Sequence, residues 1–385
     1  MARLSAFQCT CSCHYWRIHV TSRLLDSANV RRVKFAVAAP LVLVALVLTA
    51  CSSSSEPAQD DEARTVRVAT FNASLNRAVA GQLLTDLSGE NTQARAVADV
   101  ITENAPDVLL INEFDYSVDA LDVFRDNYLD GAYPYAFTAP VNTGVDSGLD
   151  LDADGAVGGP NDAYGFGQFP GQYGMVVLSK YPIDTAGVRT FQNFLWRDMP
   201  NSLLPRDYYG ANSDSLRLSS KSHWDVPVDI DGKTVHILAS HPTPPSFDGP
   251  EDRNGKRNHD EIRLTADYVD GAEYLYDDNG GRGGLESGAS FVVLGDQNSD
   301  PVDGDSVGGA IQQLLDNSRV QDPAPTSEAG EGNDTADFSD PTPGDLRVDY
   351  ALPSDDLTVS GSGVYWPAGA EHPSDHRMVW VDLEI

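Results

Sequence analysis

The segment that most limits what this chain can fold into is residues 291–298, Phe-Val-Val-Leu-Gly-Asp-Gln-Asn. Its four leading apolar residues indicate a short buried strand, which stops at Gly295. If the extension continues, Asp296 and Asn298 point to the same side, where a carboxylate and a carboxamide can orient a water and bind a phosphate oxygen. Gly, Asp and Asn are equally typical of an ordinary turn, so the octapeptide alone leaves both interpretations open.

Two earlier segments also end in polar residues. Residues 65–71 alternate like a strand and run into Asn72, and residues 107–111 form a buried strand followed shortly by Glu113. Between them, residues 91–104 have the apolar spacing of an amphipathic helix. This strand–helix–strand order predicts an α/β architecture. If the strands are parallel, Asn72 and Glu113 lie at the same end of the sheet.

The N-terminal region indicates export. An apolar run at 35–48 follows three basic residues and has the length of a signal-peptide core rather than a membrane span. The sequence Leu-Thr-Ala-Cys at 48–51 resembles a bacterial lipobox, so we expect Cys51 to be lipidated and to anchor the protein on the outer side of the cell membrane. A short transmembrane anchor is the alternative. We therefore divide the chain into a signal region at 1–50, a flexible tether at 51–64 and a catalytic domain at 65–385.

The first 29 residues contain three cysteines spaced like a metal or disulfide cluster, Cys9, Cys11 and Cys13. An extension before a signal peptide is unusual, and we prefer a true translation start near Val30 or Val33. The processed protein would then have Cys51 as its one cysteine and no disulfide.

The charge is strongly negative. Of the 26 basic and 58 acidic side chains, six and one respectively lie in residues 1–50, so the processed part carries 20 and 57, a net charge of −37. No basic stripe is visible, and we expect no tight non-specific binding to nucleic acid. A phosphate ester substrate is still compatible with this charge, because a bound divalent cation inverts the local field. We expect a monomer.

One acidic loop has the spacing of a calcium-binding loop. Asp150, Asp152 and Asp154 alternate and lead into Gly155, while the twelfth position is Asn161, followed by Asp162. The bidentate glutamate of such loops is therefore missing. The sequence allows either a structural Ca²⁺ site at Asp150, Asp152 and Asp154 or a solvated acidic loop.

Further polar residues follow the remaining strands. His241 leaves the strand at 234–240 and is held by neighbouring prolines, although a loop histidine bonded to the backbone is the alternative. Taken in order, the strand ends resemble the endonuclease/exonuclease/phosphatase superfamily, which includes deoxyribonucleases, abasic-site endonucleases, inositol polyphosphate 5-phosphatases and sphingomyelinases. The matching motifs are Ala-Thr-Phe-Asn at 69–72, Leu-Ile-Asn-Glu at 110–113, Gly-Met-Val-Val-Leu-Ser at 174–179, Leu-Ala-Ser-His at 238–241, Leu-Gly-Asp-Gln-Asn at 294–298, Arg-Val-Asp-Tyr at 347–350 and Ser-Asp-His at 374–376.

The resemblance implies a four-layer α/β sandwich, with two mixed β-sheets packed face to face and helices outside. It also implies a hard, oxygen-liganded Mg²⁺ site, with Mn²⁺ as the alternative ion. Glu113 resembles the principal metal ligand, with Asn72 beside it and Asp375 contributing.

The resemblance assigns the remaining roles as follows. His376 faces the scissile phosphate, Asp349 fixes the tautomer of that imidazole, and His241 is the second active-site histidine. Asp296 orients or deprotonates the attacking water, and Asn298 holds a phosphate oxygen. A hydrogen bond between Asp349 and His376 would stabilise the charged imidazole.

The chain departs from the family pattern at two positions. Asn112 stands where Gln is commoner, which leaves its role open, and Lys221 is the candidate replacement for an arginine often found on the middle strand. No basic loop that could grip a nucleic-acid backbone is evident.

Three functions remain open from the sequence. The first is an exported, Mg²⁺-dependent phosphoric ester hydrolase of the phosphodiesterase or phosphatase type. The second is an extracellular nuclease or a sphingomyelinase-like phospholipase C, and the acidic balance counts against the nuclease. The third is a non-catalytic surface binding protein, against which the retained histidines and carboxylates count.

Overall fold

The computed structural model describes residues 64–339, 342–369 and 372–385. The signal peptide, the cysteines of the extension, the lipidated Cys51 and nearly all of the tether lie outside these residues and stay predictions. Within the described ranges, no helix combines the length and apolarity needed to cross a bilayer.

Six strands form the first sheet. In spatial order they are β12 (Thr358–Tyr365), β13 (Met378–Glu384), β1 (Thr65–Asn72), β2 (Val108–Asn112), β4 (Met175–Ser179) and β3 (Tyr135–Phe137). β1 runs parallel to β2 and antiparallel to β13, so the sheet is mixed.

Five strands form the second sheet. In spatial order they are β11 (Asp349–Pro353), β8 (Ser290–Asp296), β7 (Lys233–Ser240), β6 (His223–Ile230) and β5 (Arg189–Thr190). This sheet is also mixed, because β7 runs parallel to β8 while the other neighbours are antiparallel. A separate two-stranded ribbon joins β9 (Ala336–Asp337) to β10 (Asp345–Leu346).

Helices cover the outer faces of both sheets. The first sheet packs against α1 (Gln82–Leu87), α2 (Thr92–Asn104) and α3 (Val118–Asn127), whereas the second packs against α5 (Arg253–Val269). Two one-turn helices, α4 (Arg206–Tyr209) and α6 (Gln312–Leu315), and three 3₁₀ turns at Pro160–Asp162, Trp196–Asp198 and Gly210–Asp214 lie in the connections. The α/β class and the two helix-flanked mixed sheets predicted from the sequence are thus confirmed.

The period-two pattern of the strands builds the layers. In β1, Val66 and Val68 face the space between the sheets, while Ala69 and Phe71 face the helices. The neighbouring sheet repeats the division, so alternate residues of one strand belong to different layers. In β8 the inner residues are Val292 and Leu294, and the outer ones are Phe291 and Val293.

The helices begin and end where local chemistry dictates. The Asn91 side chain caps α2 by accepting a hydrogen bond from the backbone N–H of Ala94, and Ala105 ends the helix in a left-handed conformation. The longer helix α5 begins at Arg253, so Asn258 lies more than a turn inside the helix.

Candidate active site

The carboxyl ends of the parallel pairs in the two sheets meet at one edge of the molecule. The Asn72 amide, at the end of β1, donates to Asp296 Oδ2 at 3.0 Å across the sandwich. Asn112, at the end of β2, accepts from the backbone N–H of Asp296 at 3.1 Å and donates to the Ser240 carbonyl at 3.3 Å. Asn112, whose role the sequence left open, therefore ties the first sheet to the second.

A glycine allows the second sheet to close at this edge. Gly295 has φ +142°, and a Cβ at this position would lie 2.0 Å from the carbonyl oxygen of Ser240. Any side chain here would push β8 away from the end of β7. The Gly that ended the apolar run in the sequence is therefore required by the approach of two strands.

Asp296 lies at the centre of the site and is 1% exposed. Its Oδ2 is 3.3 Å from Nε2 of His241 and 3.7 Å from Nε2 of His376. Burial alone would raise the pKa of Asp296, but the His376 and His241 imidazoles and the Asn72 amide outweigh burial and hold the pKa well below its usual range. The carboxylate is therefore ionised and held from several sides.

The His376 imidazole donates through Nδ1 to Asp349 Oδ2 at 2.8 Å, as expected from the sequence. The same oxygen accepts from the Thr335 hydroxyl at 2.9 Å, and the Phe338 ring meets the imidazole edge-on at 5.4 Å. Burial alone would lower the pKa of His376, but the Asp349 and Asp296 carboxylates outweigh it and raise the pKa to about 10. The imidazole is therefore charged at neutral pH, with Nε2 directed at the centre of the site.

The strand register explains why these carboxylates meet. Asp349 begins β11 directly opposite Asp296 at the end of β8. Burial raises the pKa of Asp349, although the His376 imidazole favours its ionised form. Ligand atoms of Asp296, Asp349 and His376 lie within 4.8 Å of one another. The hydrogen bond between His376 and Asp349 already accounts for the close approach of those two residues.

His241 is buried and its Nδ1 has no hydrogen-bond partner among the described residues. The alternative interpretation of this residue, a loop histidine bonded to the backbone, therefore receives no support. Its one close polar contact in the described ranges is the Asp296 carboxylate.

The three residues proposed as metal ligands lie on adjacent segments. Asn72 and Asn112 are register partners on parallel strands, which confirms the prediction that Asn72 and Glu113 share one end of the sheet. Glu113 has the left-handed φ of +61°, and its Oε2 accepts from the Asn76 amide at 2.7 Å. The exposed Asp375 carboxylate accepts from the Ser74 hydroxyl at 3.3 Å.

This donor set suits a hard cation. Glu113 and Asp375 supply carboxylate oxygens and Asn72 an amide oxygen, the ligand types that Mg²⁺ prefers, while both carboxylates are accessible to water that would complete an octahedron.

The structure corrects the expected orientation of Asn298. β8 ends at Asp296, and Asn298 has φ +50°, so the extension that would have aligned the two side chains does not continue. The Asn298 amide donates to the Pro242 carbonyl at 3.1 Å, and its backbone N–H donates to Asp296 Oδ1 at 2.8 Å. The chain therefore turns after Asp296, which is the alternative that the sequence left open for residues 295–298.

Lys221 lies two residues before β6 rather than on the strand, and it is 6% exposed. Burial lowers the pKa of its ammonium, and the Glu261, Glu113 and Asp296 carboxylates oppose that shift. The side chain therefore brings a buried amino group to the site from the second sheet.

The acidic loop brings together a different set from the one expected. Ligand atoms of Asp150, Asp152 and Asp162 lie within 4.8 Å of one another. The exposed Asp154 instead accepts from the backbone N–H of Ala156 at 2.7 Å, because its side chain closes a local turn. Calcium at this loop stays a prediction.

Several neighbours of the site were not found from the sequence. Thr335 lies in an acidic, Pro- and Gly-rich stretch with no strand pattern, and its hydroxyl accepts from the N–H groups of Val348 and Asp349 while donating to the carboxylate. Asn76 contacts Glu113 from a loop without periodicity. Ser374 donates to the Asn72 carbonyl at 2.7 Å, and its place inside the matched motif at 374–376 was the one available signal.

Comparisons with known proteins agree with the two-sheet α/β fold described above. Comparison with curated proteins found no match. Among solved structures, the chain is similar to an endonuclease/exonuclease/phosphatase from Beutenbergia cavernae DSM 12333, with a TM-score of 0.53 and 21% identity over 84% of this chain and 72% of that one. It also resembles sphingomyelinase C from Streptomyces griseocarneus, with a TM-score of 0.47 and 17% identity over 83% and 99%.

A model of the Endonuclease/Exonuclease/phosphatase family matches residues 69–376, which is most of the chain and contains every residue of the site described above. Members of this family are mostly hydrolases of phosphoric esters, nucleases among them. The match begins within β1 and ends just before β13, so it covers all the strands between them. The chain belongs to the endonuclease/exonuclease/phosphatase family.

Proposed function

We propose that this protein is an exported, Mg²⁺-dependent phosphoric ester hydrolase that activates water with Asp296 and its two histidines. The observation that carries the proposal is the position of the Asp296 carboxylate, buried between His241, His376 and the Asn72 amide where the two sheets meet. A buried, ionised acid beside a charged imidazole is typical of catalytic sites, in which acid and base roles are separated by environment.

The side chains have complementary roles in an in-line attack on phosphorus. Asp296 accepts the proton of the attacking water or orients that water, because its carboxylate is ionised and fixed by hydrogen bonds. The charged His376 imidazole stabilises negative charge on the phosphoryl oxygens through Nε2, while Asp349 holds its Nδ1. In its protonated form, Lys221 would add positive charge near the Glu113 and Asp296 carboxylates.

Asn72, Glu113 and Asp375 would hold the Mg²⁺ ion. The ion, when bound, neutralises charge on the phosphoryl group and helps the leaving oxygen depart. A bound cation would also invert the local field of this strongly acidic chain, which favours the approach of an anionic substrate.

A metal-dependent activity panel on residues 60–385 tests the proposal. It covers bis-p-nitrophenyl phosphate, DNA, sphingomyelin, and sugar or inositol phosphates, each with Mg²⁺, with Mn²⁺ and with EDTA. We expect hydrolysis that EDTA abolishes and Mg²⁺ restores. Preference for DNA or for sphingomyelin would assign the nuclease or the phospholipase C alternative, and failure with every ester would refute the proposal.

The variant His376→Ala separates an enzyme from a binding protein on the same fold. We expect it to abolish hydrolysis while leaving the chain folded. The matched control is His236→Ala, because His236 forms an equally close pair with Asp225 at 2.7 Å in the body of the second sheet. Equal activity of wild type and His376→Ala would favour the binding protein.

The cellular location is part of the same proposal. Lipidation at Cys51 would place the domain outside the cell on a flexible tether, with the membrane as its partner. Expression of the full chain, followed by membrane fractionation of wild type and Cys51→Ala, tests this. Release of the variant into the soluble fraction supports the anchor, and retention in the membrane contradicts it.

A further inference from the structure

The long helix α5 carries two buried polar residues on its inner face, Asn258 and Glu261, one turn apart. They are 0% and 1% exposed. Neither belongs to the motifs that identify the family, and neither has a role in the mechanism described above. Buried amides and carboxylates are costly unless they are fully bonded, so their partners indicate what they do.

The Glu261 carboxylate bridges two separate active-site segments. Its Oε1 accepts from the backbone N–H of Ser220 at 2.5 Å, and its Oε2 accepts from the backbone N–H of Thr243 at 2.6 Å. Ser220 directly precedes Lys221, and Thr243 lies two residues after His241. One carboxylate therefore fixes the distance between the segment with the buried lysine and the segment with the second histidine.

The Asn258 amide extends this connection to the central carboxylate. Its Nδ2 donates to the Thr243 carbonyl at 2.9 Å and to the Gln297 carbonyl at 2.9 Å. Gln297 directly follows Asp296. Because Thr243 is bonded to Asn258 through its carbonyl and to Glu261 through its N–H, the two side chains act on the same backbone from both sides.

We propose that Asn258 and Glu261 are positioning residues that set the mutual placement of Lys221, His241 and Asp296; this rests on the hydrolase function proposed above. The segments with Lys221, His241 and Asp296 border three different strands. The His241 and Asp296 segments are also joined directly, because the Asn298 amide donates to the Pro242 carbonyl, and Glu261 connects the Lys221 segment to the His241 segment. A charge-assisted bond to backbone N–H is roughly twice as strong as a neutral one, which suits a carboxylate that must hold two loops. A shift of about 1 Å in the groups so held costs about a hundredfold in rate.

The neighbouring Asp260 provides a matched control on the same helix. It is 0% exposed and accepts from Trp196 Nε1 at 2.6 Å and from the backbone N–H of Leu203 at 2.7 Å. Its bonds therefore stabilise the outer connection at 196–203 instead of the pocket. Asp260→Asn and Glu261→Gln each convert one buried carboxylate to an amide, and only the second touches the active-site segments.

The experiment compares Glu261→Gln, Asn258→Ala and Asp260→Asn for kcat and KM on bis-p-nitrophenyl phosphate with Mg²⁺, per folded molecule and well below each Tm. We expect kcat to fall about tenfold or more in the first two variants and to stay within about threefold of wild type in Asp260→Asn, whatever its Tm. Unchanged kcat in both Glu261→Gln and Asn258→Ala, or an equal loss in Asp260→Asn, overturns the proposal. If Glu261→Gln does not fold, Asn258→Ala decides.

Amide hydrogen exchange provides a readout that does not need turnover. We expect faster exchange at Ser220 and Thr243 in Glu261→Gln and unchanged exchange there in Asp260→Asn. Unchanged exchange at both amides in Glu261→Gln refutes the positioning role of Glu261. Faster exchange together with an inactive wild type would instead refute the proposed hydrolase and leave the positioning of the two segments by Glu261 supported.

Discussion

Replacing Asp349 with asparagine tests how much of the catalytic power depends on the charge behind His376. The substitution keeps the size of the side chain and one oxygen to accept from His376 Nδ1, at present 2.8 Å from the carboxylate. It removes the negative charge that favours the imidazolium. The effect on rate therefore reports electrostatics rather than loss of contact.

The magnitude follows from the geometry. With the two charge centres about 4 Å apart and an effective dielectric constant of about 20, the interaction is worth about 4 kcal/mol. At 1.36 kcal/mol per tenfold change, kcat should fall by about a thousandfold.

The effect on stability should be smaller. Burial raises the pKa of Asp349, so the fold itself opposes this charge. Because the imidazole can also release its proton, the free energy of unfolding should change by less than about 2 kcal/mol.

The assay is steady-state hydrolysis of bis-p-nitrophenyl phosphate with saturating Mg²⁺, beside urea unfolding of the same samples. Asp225→Asn is the control, because Asp225 is a buried carboxylate 2.7 Å from His236 Nδ1 in the body of the second sheet. It should lose stability and keep kcat within about threefold of wild type. A kcat for Asp349→Asn that also stays within threefold would refute the assignment of His376 as the charged group facing the phosphate.

Three further predictions concern other parts of the site. Glu113→Gln should raise the Mg²⁺ concentration for half-maximal activity by about tenfold or more, since a carboxylate ligand becomes a neutral one, and a metal titration of activity measures this. Lys221→Met should raise KM and also raise Tm, because burial lowers the pKa of this ammonium and an apolar side chain of similar length removes that cost; a lowered Tm would contradict it. Asn112→Ala should lower the free energy of unfolding by about 2–4 kcal/mol, measured in urea, because the Asp296 N–H and the Ser240 carbonyl lose their buried partner.

The strand ends were predictable because period and polarity change together there. Apolar runs such as residues 108–111 indicate burial, and the residue that follows a parallel strand emerges at a known edge of the sheet. Asn72, Glu113, His241 and Asp296 were found in this way. Their convergence needs a second sheet face to face with the first, which the sequence supplied only through the family resemblance.

The remainder of the site depends on contacts that leave no periodic trace. Asn298 was placed by assuming that the strand continues, but β8 ends at Asp296 and Asn298 adopts a left-handed φ of +50°. Thr335 lies in an irregular connection, and nothing in the local sequence connects its hydroxyl to a carboxylate fourteen residues later. Glu261 reads as one more charged residue on an amphipathic helix, and only tertiary packing turns it inward.

The pairing of β1 with β13 has a consequence for how the protein is made. The first strand of the domain pairs with β2 on one side but gains its other neighbour only from the last strand, and that ladder continues to the mutual backbone hydrogen bonds between Arg64 and Ile385. About three hundred residues of intervening chain must be synthesised before that ladder can form, and closing so large a loop slows the final step. His376 arrives with the same late segment. The nascent polypeptide therefore lacks both a complete first sheet and His376 until its end has left the ribosome.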